Sequence, residues 1–143
     1  MSSQQQRPQV PTDMKAFNAK LIEEFRANRG RLSGQMAGRQ LMLLTTTGRK
    51  SGKERTVVIG YRPFRGEFAV IASNNGAPKP PSWFFNLEKN STATVEIGPD
   101  KFDVRARVAS PEEREEAAKV IDYLAPQQEK AGREIPVLVL EKV

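Results

Sequence analysis

The residues of this sequence that are best suited to chemistry lie in one short cationic stretch. Residues 45–55 (TTTGRKSGKER) contain four cations, four hydroxyl side chains and two glycines. Apolar runs flank the stretch on both sides, so two strands would present it as a polar, flexible turn. Positive charge, hydroxyl donors and backbone N–H groups that glycine leaves accessible are the features that bind an anion. Phosphate is the first anion to consider, which points to a phosphorylated cofactor or to nucleic acid.

The spacing excludes two common phosphate-binding loops. A Walker A loop needs four residues between its glycines and a Ser or Thr after its lysine. Here three residues separate Gly48 from Gly52, and Glu54 follows Lys53. The chain also lacks the G-x-G-x-x-G pattern of a Rossmann nucleotide site. Taken alone, the stretch fits a solvated hairpin tip as well as it fits a binding site.

A second polar stretch follows the third predicted strand. Residues 72–87 (ASNNGAPKPPSWFFNL) begin with hydroxyl and amide side chains, pass through three prolines and enter a short helix that Ser82 can cap. On that helix Trp83 and Asn86 are three residues apart and share a face. An aromatic ring beside an amide suits a flat heteroaromatic ring or a sugar-like chain. The alternative is that Trp83 anchors the core and Asn86 makes a hydrogen bond at the helix end.

The absence of two residue types limits the chemistry. The chain has no Cys and no His, which excludes disulfides, thiolate or imidazole metal ligands, a Cys nucleophile and a His-based triad. Any proton transfer must use Tyr, Lys, a carboxylate, Ser or Thr through water, or the substrate itself. No metal site is predicted.

Charge and hydropathy define the expected surroundings. The net charge is +6, but residues 1–65 hold 13 Lys or Arg against 4 Asp or Glu, whereas residues 66–143 hold 10 against 13. The positive field therefore lies in the half with the cationic stretch and would attract anionic ligands. No apolar run reaches the ~20 residues of a membrane span, and the N-terminus lacks a signal-peptide core, so a cytoplasmic protein is expected.

The first 40 residues predict a tail and a helix. Residues 1–11 are polar and Gln/Pro-rich and predict a disordered tail, and residues 12–143 are expected to form one domain. The apolar face of a helix from Thr12 or Asp13 to about Arg29 consists of Met14, Phe17, Leu21 and Phe25. That face either packs on the rest of the domain or makes weak peripheral contact with a membrane or a partner.

Strands dominate the rest of the chain. The predicted strands are Leu41–Thr47, Arg55–Arg62, Glu67–Ser73, Thr92–Ile97, Phe102–Val108 and Ile135–Leu140, with Arg62–Gly66 as a hairpin turn. Ser110, Pro111 and Glu113 form a helix start, and Pro126 is expected to follow the end of that helix. The predicted fold class is mainly β with flanking helices (α+β), a six-stranded antiparallel barrel.

The two polar stretches resemble the signature of the deazaflavin-dependent nitroreductase family, whose members use coenzyme F420. The matching blocks are Leu43–Gly52 with Arg55, then Ala72-Ser73, Gly76-Ala77-Pro78, Pro81, Trp83 and Asn86-Leu87, and finally Arg133–Val137. Three blocks in the same order span about residues 30–143. The resemblance implies a split β-barrel of the flavin-reductase, FMN-binding type, which binds the deazaflavin ring, phosphate and polyglutamate tail of F420.

The resemblance also implies which residues bind the cofactor: Arg49, Lys50, Ser51, Gly52, Arg55, Val57, Ala72, Ser73, Asn74, Trp83 and Asn86. Of these, Arg49, Lys50, Ser51 and Arg55 would hold the phosphate and nearby tail. The Ala72–Asn74 segment would lie along the ring, with Trp83 and Asn86 on the cofactor side of the short helix. Because Arg binds phosphate through two parallel hydrogen bonds, Arg49 and Arg55 should matter more than Lys53.

The implied reaction is hydride transfer from reduced F420 to a small electrophile. The expected acceptors are activated alkenes (enones, unsaturated esters or lactones) and nitro-conjugated rings. Ser73 is the candidate donor to the acceptor oxygen, and Tyr123 or water is the candidate proton source; the alternative for Tyr123 is packing at a helix end. The Tyr123–Gln128 segment lacks the several tyrosines of the best-known nitroreductases, so the substrate wall differs.

Two other functions share these features. One is an FMN-binding oxidoreductase or cofactor-binding protein on the same split barrel. The weaker one is a basic nucleic-acid-binding barrel, which would place aromatic residues between cations on its exposed strands. The central strands here are aliphatic, so no nucleic-acid partner is expected. A monomer is slightly favoured over an oligomer.

Overall fold

A single curled antiparallel sheet organises the protein in a computed structural model that describes residues 14–33 and 38–143. Its strands are β1 (Leu41–Thr47), β2 (Glu54–Gly60), β3 (Arg62–Phe64), β4 (Glu67–Ile71), β5 (Thr92–Ile97), β6 (Asp100–Val108) and β7 (Val137–Lys142). The strand order is β2-β1-β5-β6-β7-β4-β3. The edge strands β2 and β3 are separated by Tyr61 alone, so the two edges meet there and the sheet forms a half-barrel.

Four α-helices surround the sheet. They are α1 (Met14–Ala27), α2 (Ser82–Lys89), α3 (Pro111–Val120) and α4 (Leu124–Ala131), with a 3₁₀ helix at Asn74–Gly76. The Ser110 hydroxyl accepts a hydrogen bond from the Glu113 N–H, and the Glu113 carboxylate accepts one from the Ser110 N–H, which completes the predicted capping box of α3. None of the helices in the described residues is long and apolar enough to cross a bilayer.

The concave face of the sheet carries the main core, because side chains alternate between the two faces of a strand. Its most buried aliphatic residues are Met42, Leu44, Val70, Val95, Val104 and Leu140. Helix α2 covers one end of this face with Trp83, Phe84 and Leu87. Burying each such large side chain stabilises the fold by about 1.5–3 kcal/mol, which fixes α2 against β1.

The convex face is covered in two places. Helix α1 packs on β1 and β2 through Phe25, Leu43 and Val58. A paired hydrogen bond also ties α1 to β5, from Arg26 Nε and Nη2 to the Glu96 carboxylate at 2.9 and 2.7 Å. This hydrogen bond lowers the pKa of Glu96 below its usual range, because its effect is larger than the opposing effect of burial. The predicted packing of α1 on the barrel is therefore confirmed, and contact with a membrane stays a prediction.

Helices α3 and α4 cover the other part of the convex face, over β3, β4 and β7. Ala117, Ile121 and Leu124 pack there against Ile71 and Val139. The predicted antiparallel half-barrel with flanking helices is thus present. The predicted tail at residues 1–11 and the helix cap at Thr12 or Asp13 lie outside the described residues.

Several boundaries differ from the sequence-based expectation. The strands expected at Arg55–Arg62, Glu67–Ser73, Phe102–Val108 and Ile135–Leu140 are Glu54–Gly60, Glu67–Ile71, Asp100–Val108 and Val137–Lys142. The sheet has seven strands rather than six, because Arg62–Phe64 pairs with β4. The turn that follows consists of Arg65 and Gly66, with φ of 52° and 79°. Two successive left-handed residues make a type I′ turn, whose twist matches that of an antiparallel hairpin. An arginine is an unusual first residue for that turn, which explains why a longer loop was expected.

The helix expected after Ser110 is two helices. Helix α3 ends at Val120, which is 46% exposed, and α4 begins at Leu124. Pro126 is the third residue of α4 rather than a residue beyond its end. Its missing N–H costs nothing there, because the first-turn N–H groups of a helix have no acceptor within the helix. Ser82 likewise begins α2 without capping it.

Candidate active site

The cationic turn, residues 47–53, connects β1 to β2 and has a defined shape. The Gly48 N–H donates to the Lys53 carbonyl at 2.7 Å, and the Gly52 N–H donates to the Gly48 carbonyl at 2.9 Å. Gly52 has a φ of 74°, a backbone conformation that glycine adopts without strain. The Ser51 hydroxyl accepts a bond from the Lys53 N–H at 3.1 Å. These bonds turn the chain tightly and leave the side chain of Lys50 exposed.

Asn86 of α2 fixes this turn to the barrel. Its Oδ1 accepts from the Arg49 N–H at 3.1 Å and from Arg49 Nη1 at 3.2 Å. Its Nδ2 donates to Thr46 Oγ1 at 3.0 Å, and Asn86 and Thr46 are both buried. Trp83, one turn earlier, is buried in the main core. As placed here, both residues have the contacts of a core anchor and a hydrogen-bonding support, and direct contact with a cofactor stays a prediction.

A second residue of α2 extends the basic surface of the turn. Lys89 donates through Nζ to the Arg49 carbonyl at 3.0 Å. The Arg49 guanidinium lies over the Phe85 ring, 5.2 Å from its centroid. A cleft of about 550 Å³ opens beside these groups, lined by Thr47, Gly48, Arg49, Lys50, Ser51, Gly52, Lys89 and Asn90. The structure therefore brings together the predicted Arg49, Lys50, Ser51 and Gly52, and adds Lys89 and Asn90.

Lys89 and Asn90 were not predicted, although the sequence holds a signal for them. They follow Asn86 by three and four residues, which places them on the same face of a helix. Once Asn86 faces the turn, Lys89 and Asn90 must lie beside it.

Arg55 and Val57 lie on β2, on the strand that leaves the turn. Their ladder partners on β1 are Thr46 and Leu44, whose side chains point to the concave face. Alternation puts Arg55 and Val57 on that same face. Arg55 is exposed, and no carboxylate of the described residues pairs with it. Val57 is half-buried against the main core. Arg55 and Val57 thus lie on the concave face of β2, at the end of the barrel that carries the cationic turn.

The Ala72–Asn74 segment follows β4, which lies in a different part of the sheet from β1 and β2. Ala72 is buried, and its N–H donates to the Pro136 carbonyl at 3.0 Å, which extends the pairing of β4 with β7. Ser73 is half-buried, and its hydroxyl caps no N–H of the 3₁₀ helix that begins after it. Asn74 has a φ of 53°, and its side chain donates to the Lys79 carbonyl at 3.1 Å. No hydrogen bond to a described residue occupies the Ser73 hydroxyl, so its proton is available to a ligand.

Arg133, which the sequence reasoning did not single out, holds this segment. Its Nε donates to the Ala77 carbonyl at 3.1 Å, and its Nη2 donates to the Ala72 and Ser73 carbonyls, both at 3.2 Å. Arg133 belongs to the third sequence block, so a signal was present, but nothing in the sequence indicated its partners.

Tyr123 lies at the start of α4, on the convex side of the sheet. Its ring lies under the Arg62 guanidinium, which is 4.9 Å from the ring centroid. Its hydroxyl is buried beside Gly60 with no hydrogen-bond partner among the described residues. Burial raises the pKa of Tyr123, an effect that Arg62 partly opposes. Gly60 pairs with Leu41, six ladder positions from the turn, so Tyr123 is about 20 Å from the cationic cleft.

The donor set of the cleft fits the anionic part of F420. Lys50, Ser51 and Gly52 line the cleft, and the exposed cations Lys53 and Arg55 follow them in the sequence. Phosphate and carboxylate groups bind such sites through charge-assisted hydrogen bonds, which are roughly twice as strong as neutral ones.

Comparison with known proteins identifies the cofactor. A family model described as F420H(2)-dependent quinone reductase matches residues 19–142. The chain belongs to this family. An F420H(2)-dependent quinone reductase of Mycobacterium tuberculosis is 29% identical over 130 residues, which are 82% of this chain and 85% of that protein. Coenzyme F420 is therefore the cofactor, as the three sequence blocks predicted, and the protein is an F420-dependent reductase.

Two solved structures support the same conclusion. An F420-H2 dependent reductase, FDR-A, is 41% identical with a TM-score of 0.63, and the match covers 72% of this chain and 95% of that one. A structure described as a domain-swapped dimer is 36% identical with a TM-score of 0.66, and the match covers 92% of this chain and 100% of that one. The split-barrel fold is confirmed. The dimeric relative leaves the expectation of a monomer without support.

Proposed function

We propose that the protein transfers hydride from reduced F420 to conjugated carbonyl compounds, with quinones as the first substrates to test. The enones, unsaturated esters and lactones expected from the sequence belong to the same chemical class, because a quinone is a cyclic conjugated diketone. The acceptor gains two electrons and two protons and becomes a hydroquinone or a saturated carbonyl compound, while reduced F420 becomes oxidised F420. The M. tuberculosis relative that matches most of this chain is named a quinone reductase, which supports this class.

The observation that carries the proposal is the cleft at the cationic turn. Asn86 and Lys89 fix the turn from α2, Lys50 and Arg55 are exposed, and the Ser51 hydroxyl accepts from the Lys53 N–H within the turn. These residues would hold the phosphate and the first carboxylates of the tail. When bound, F420 supplies a hydride from C5 of its ring. The protein then has to place the ring and the acceptor against each other, which is the general division of labour in cofactor enzymes.

Ser73 is the residue that we propose contacts the acceptor. Addition of a hydride to a conjugated carbonyl compound develops negative charge on the carbonyl oxygen. A fixed hydroxyl donor at that oxygen stabilises the charge, and loss of one such donor costs roughly 10²–10³ in rate at other oxyanion sites. The Ser73 hydroxyl is free to donate, since it makes no hydrogen bond to another of the described residues and is half-buried.

Water is proposed as the proton source, because the Tyr123 hydroxyl is buried on the convex side of the sheet. Tyr123 stays the alternative donor: burial raises its pKa, so its hydroxyl is protonated at neutral pH but is a weaker acid. Its contacts with Arg62 and Gly60 also fit the packing role that the sequence allowed. Replacement by Phe separates these roles, because Phe retains the packing and removes the proton.

The test is oxidation of reduced F420 in the presence of a soluble naphthoquinone, followed by the return of the oxidised deazaflavin absorbance. Cyclohexenone and a nitro-conjugated ring serve as further acceptors. We expect quinone-dependent turnover, and a decrease of kcat/KM by roughly 10²–10³-fold in Ser73→Ala. Ser91→Ala is the matched control, because Ser91 is also half-buried but lies immediately before β5. No turnover with any conjugated carbonyl compound would contradict the proposed substrate class.

The cellular location and the oligomeric state are separate proposals. We expect a cytoplasmic protein, because its apolar runs are shorter than a membrane span. The slight preference for a monomer stays a prediction. Light scattering of the purified protein decides the second point. A dimer in that measurement would align this chain with the domain-swapped relative.

A further inference from the structure

We propose that Arg133 is a positioning residue that fixes the Ala72–Ala77 segment and places positive charge behind Ser73. Its effect on the reaction rests on the proposed function of Ser73. Its effect on the segment does not, because the hydrogen bonds that carry it join parts of the protein to each other.

Arg133 donates hydrogen bonds to a segment that is distant from it in the sequence. Its guanidinium contacts three carbonyls of one short segment, at Ala72, Ser73 and Ala77, with distances between 3.1 and 3.2 Å. These residues are 56 to 61 positions away in sequence. Ala72 is the end of the pairing with β7, and Ala77 is the residue after the 3₁₀ helix. Arg133 therefore fixes both ends of the segment that presents Ser73.

The backbone of the segment turns sharply. Asn74 and Gly76 have left-handed φ values of 53° and 77°. Asn and Gly adopt this region more readily than other residues, and the Asn74 side chain stabilises the turn by donating to the Lys79 carbonyl at 3.1 Å. On the other side of the segment, Gly76 packs against α4, and a Cβ at this position would be 2.6 Å from Lys130 Cδ. The segment is thus held between α4 and Arg133.

The charge of Arg133 is not neutralised by an acidic partner in the described residues. Arg114, which lies nearby in the fold, pairs with Glu134 and donates to the Ile135 carbonyl. Arg133 instead donates to neutral carbonyls, and the described residues place no carboxylate within 4.0 Å of its guanidinium. A half-buried cation that has no carboxylate partner retains its positive electrostatic potential. That potential favours negative charge on an acceptor oxygen at Ser73.

Hydrogen exchange of the free protein tests the structural part. The Gly76 N–H donates to the Ser73 carbonyl and the Ala77 N–H to the Asn74 carbonyl, both at 3.0 Å, so these amides report on the segment. We expect Arg133→Gln to accelerate their exchange roughly tenfold, because local opening becomes easier. Arg26→Gln is the matched control, because it removes a paired guanidinium contact far from the segment, to Glu96 of β5, and should leave Gly76 and Ala77 unchanged. Equal exchange in wild type and Arg133→Gln overturns the inference.

Steady-state kinetics test the consequence for the reaction. We expect Arg133→Gln to lower kcat with the naphthoquinone roughly 10–100-fold, with F420 affinity within about twofold of wild type, since small misplacements at a reacting centre have effects of this size. Arg133→Lys keeps the charge and should recover part of kcat. If Arg133→Gln does not fold, Arg133→Lys carries both measurements: it should exchange faster at Gly76 and Ala77, and wild-type exchange there overturns the inference.

The two proposals fail in different ways. Absence of quinone turnover in wild type contradicts the proposed function, while the exchange result still decides whether Arg133 fixes the segment. Faster exchange with unchanged kcat in Arg133→Gln overturns the catalytic part of the inference and leaves the proposed function intact.

Discussion

Replacing Asn86 by Ala is the substitution that best tests how the cationic turn is built. Asn86 makes three hydrogen bonds, two to Arg49 and one to Thr46, and its side chain is 4% exposed. The substitution removes all three at once. It also leaves the Arg49 N–H and the buried Thr46 hydroxyl without their partner.

The expected loss can be worked out from these bonds. A neutral hydrogen bond contributes about 0.5–1.5 kcal/mol net and one to a charged group about 1.5–3 kcal/mol, and the charged one here is partly exposed and takes the low end. We therefore expect the free energy of unfolding to fall by about 2.5–4.5 kcal/mol. F420 affinity should fall as well, since the Arg49 backbone no longer has a fixed position.

Denaturant unfolding followed by fluorescence measures this change directly, because Trp83 is the single tryptophan and is buried three residues before Asn86. Asn90→Ala is the matched control: its side chain is exposed and accepts one bond, from the Thr92 N–H. It should cost less than about 1 kcal/mol. If Asn86→Ala unfolds with the same midpoint as the control, the hydrogen-bonding role assigned to Asn86 is refuted.

Three further predictions concern stability. The hydrogen bond from Arg107, and after it the one from the Ser110 N–H, lowers the pKa of Glu113 to about 2. The stability that ionised Glu113 contributes is therefore present above the ordinary pKa of 4.5 and is lost as the pH falls toward 2. Acid unfolding of Glu113→Gln should show a weaker pH dependence between these two values. Gly30→Ala should destabilise more than Gly66→Ala in thermal unfolding: both have positive φ, but a Cβ at Gly30 would be 2.6 Å from backbone, whereas the space at Gly66 is open. Equal losses would contradict the packing at Gly30. Tyr123→Phe should keep or raise the unfolding free energy, by up to about 1 kcal/mol, because it removes a buried hydroxyl that has no partner; a clear loss would reveal a bond to that hydroxyl.

Much of the fold was predictable because local patterns determine it. The run Leu41–Thr47 was predicted with its observed bounds, and Thr92–Ile97 likewise. In both, a short run with apolar residues between two polar turns favours a strand. The capping box at Ser110 also fixed the start of α3. Local sequence was insufficient at Arg62–Phe64, which is a strand only because β4 pairs with it.

The site was predictable to a different degree. The cationic turn was evident from residue types, since Arg49, Lys50 and Ser51 are adjacent in sequence. The contacts of Asn86 with Thr46 and of Arg133 with Ser73 join residues 40 and 60 positions apart, and no local pattern encodes them. Tyr123 shows the same limit: the sequence named it as a proton donor, but its place on the convex face depends on the break between α3 and α4.

The central claim is that the cationic turn binds the tail of F420, and fluorescence titration of Arg55→Ala tests it most directly. The titration uses F420 and, in parallel, a deazaflavin that lacks the phosphate and polyglutamate. Arg55 is exposed and forms no ion pair with the described residues, so the fold should be unaffected. We expect the dissociation constant for F420 to rise roughly tenfold, as loss of one charge-assisted contact implies, and that for the tail-less compound to stay unchanged. Unchanged F420 affinity, or an equal loss for both compounds, would contradict the claim.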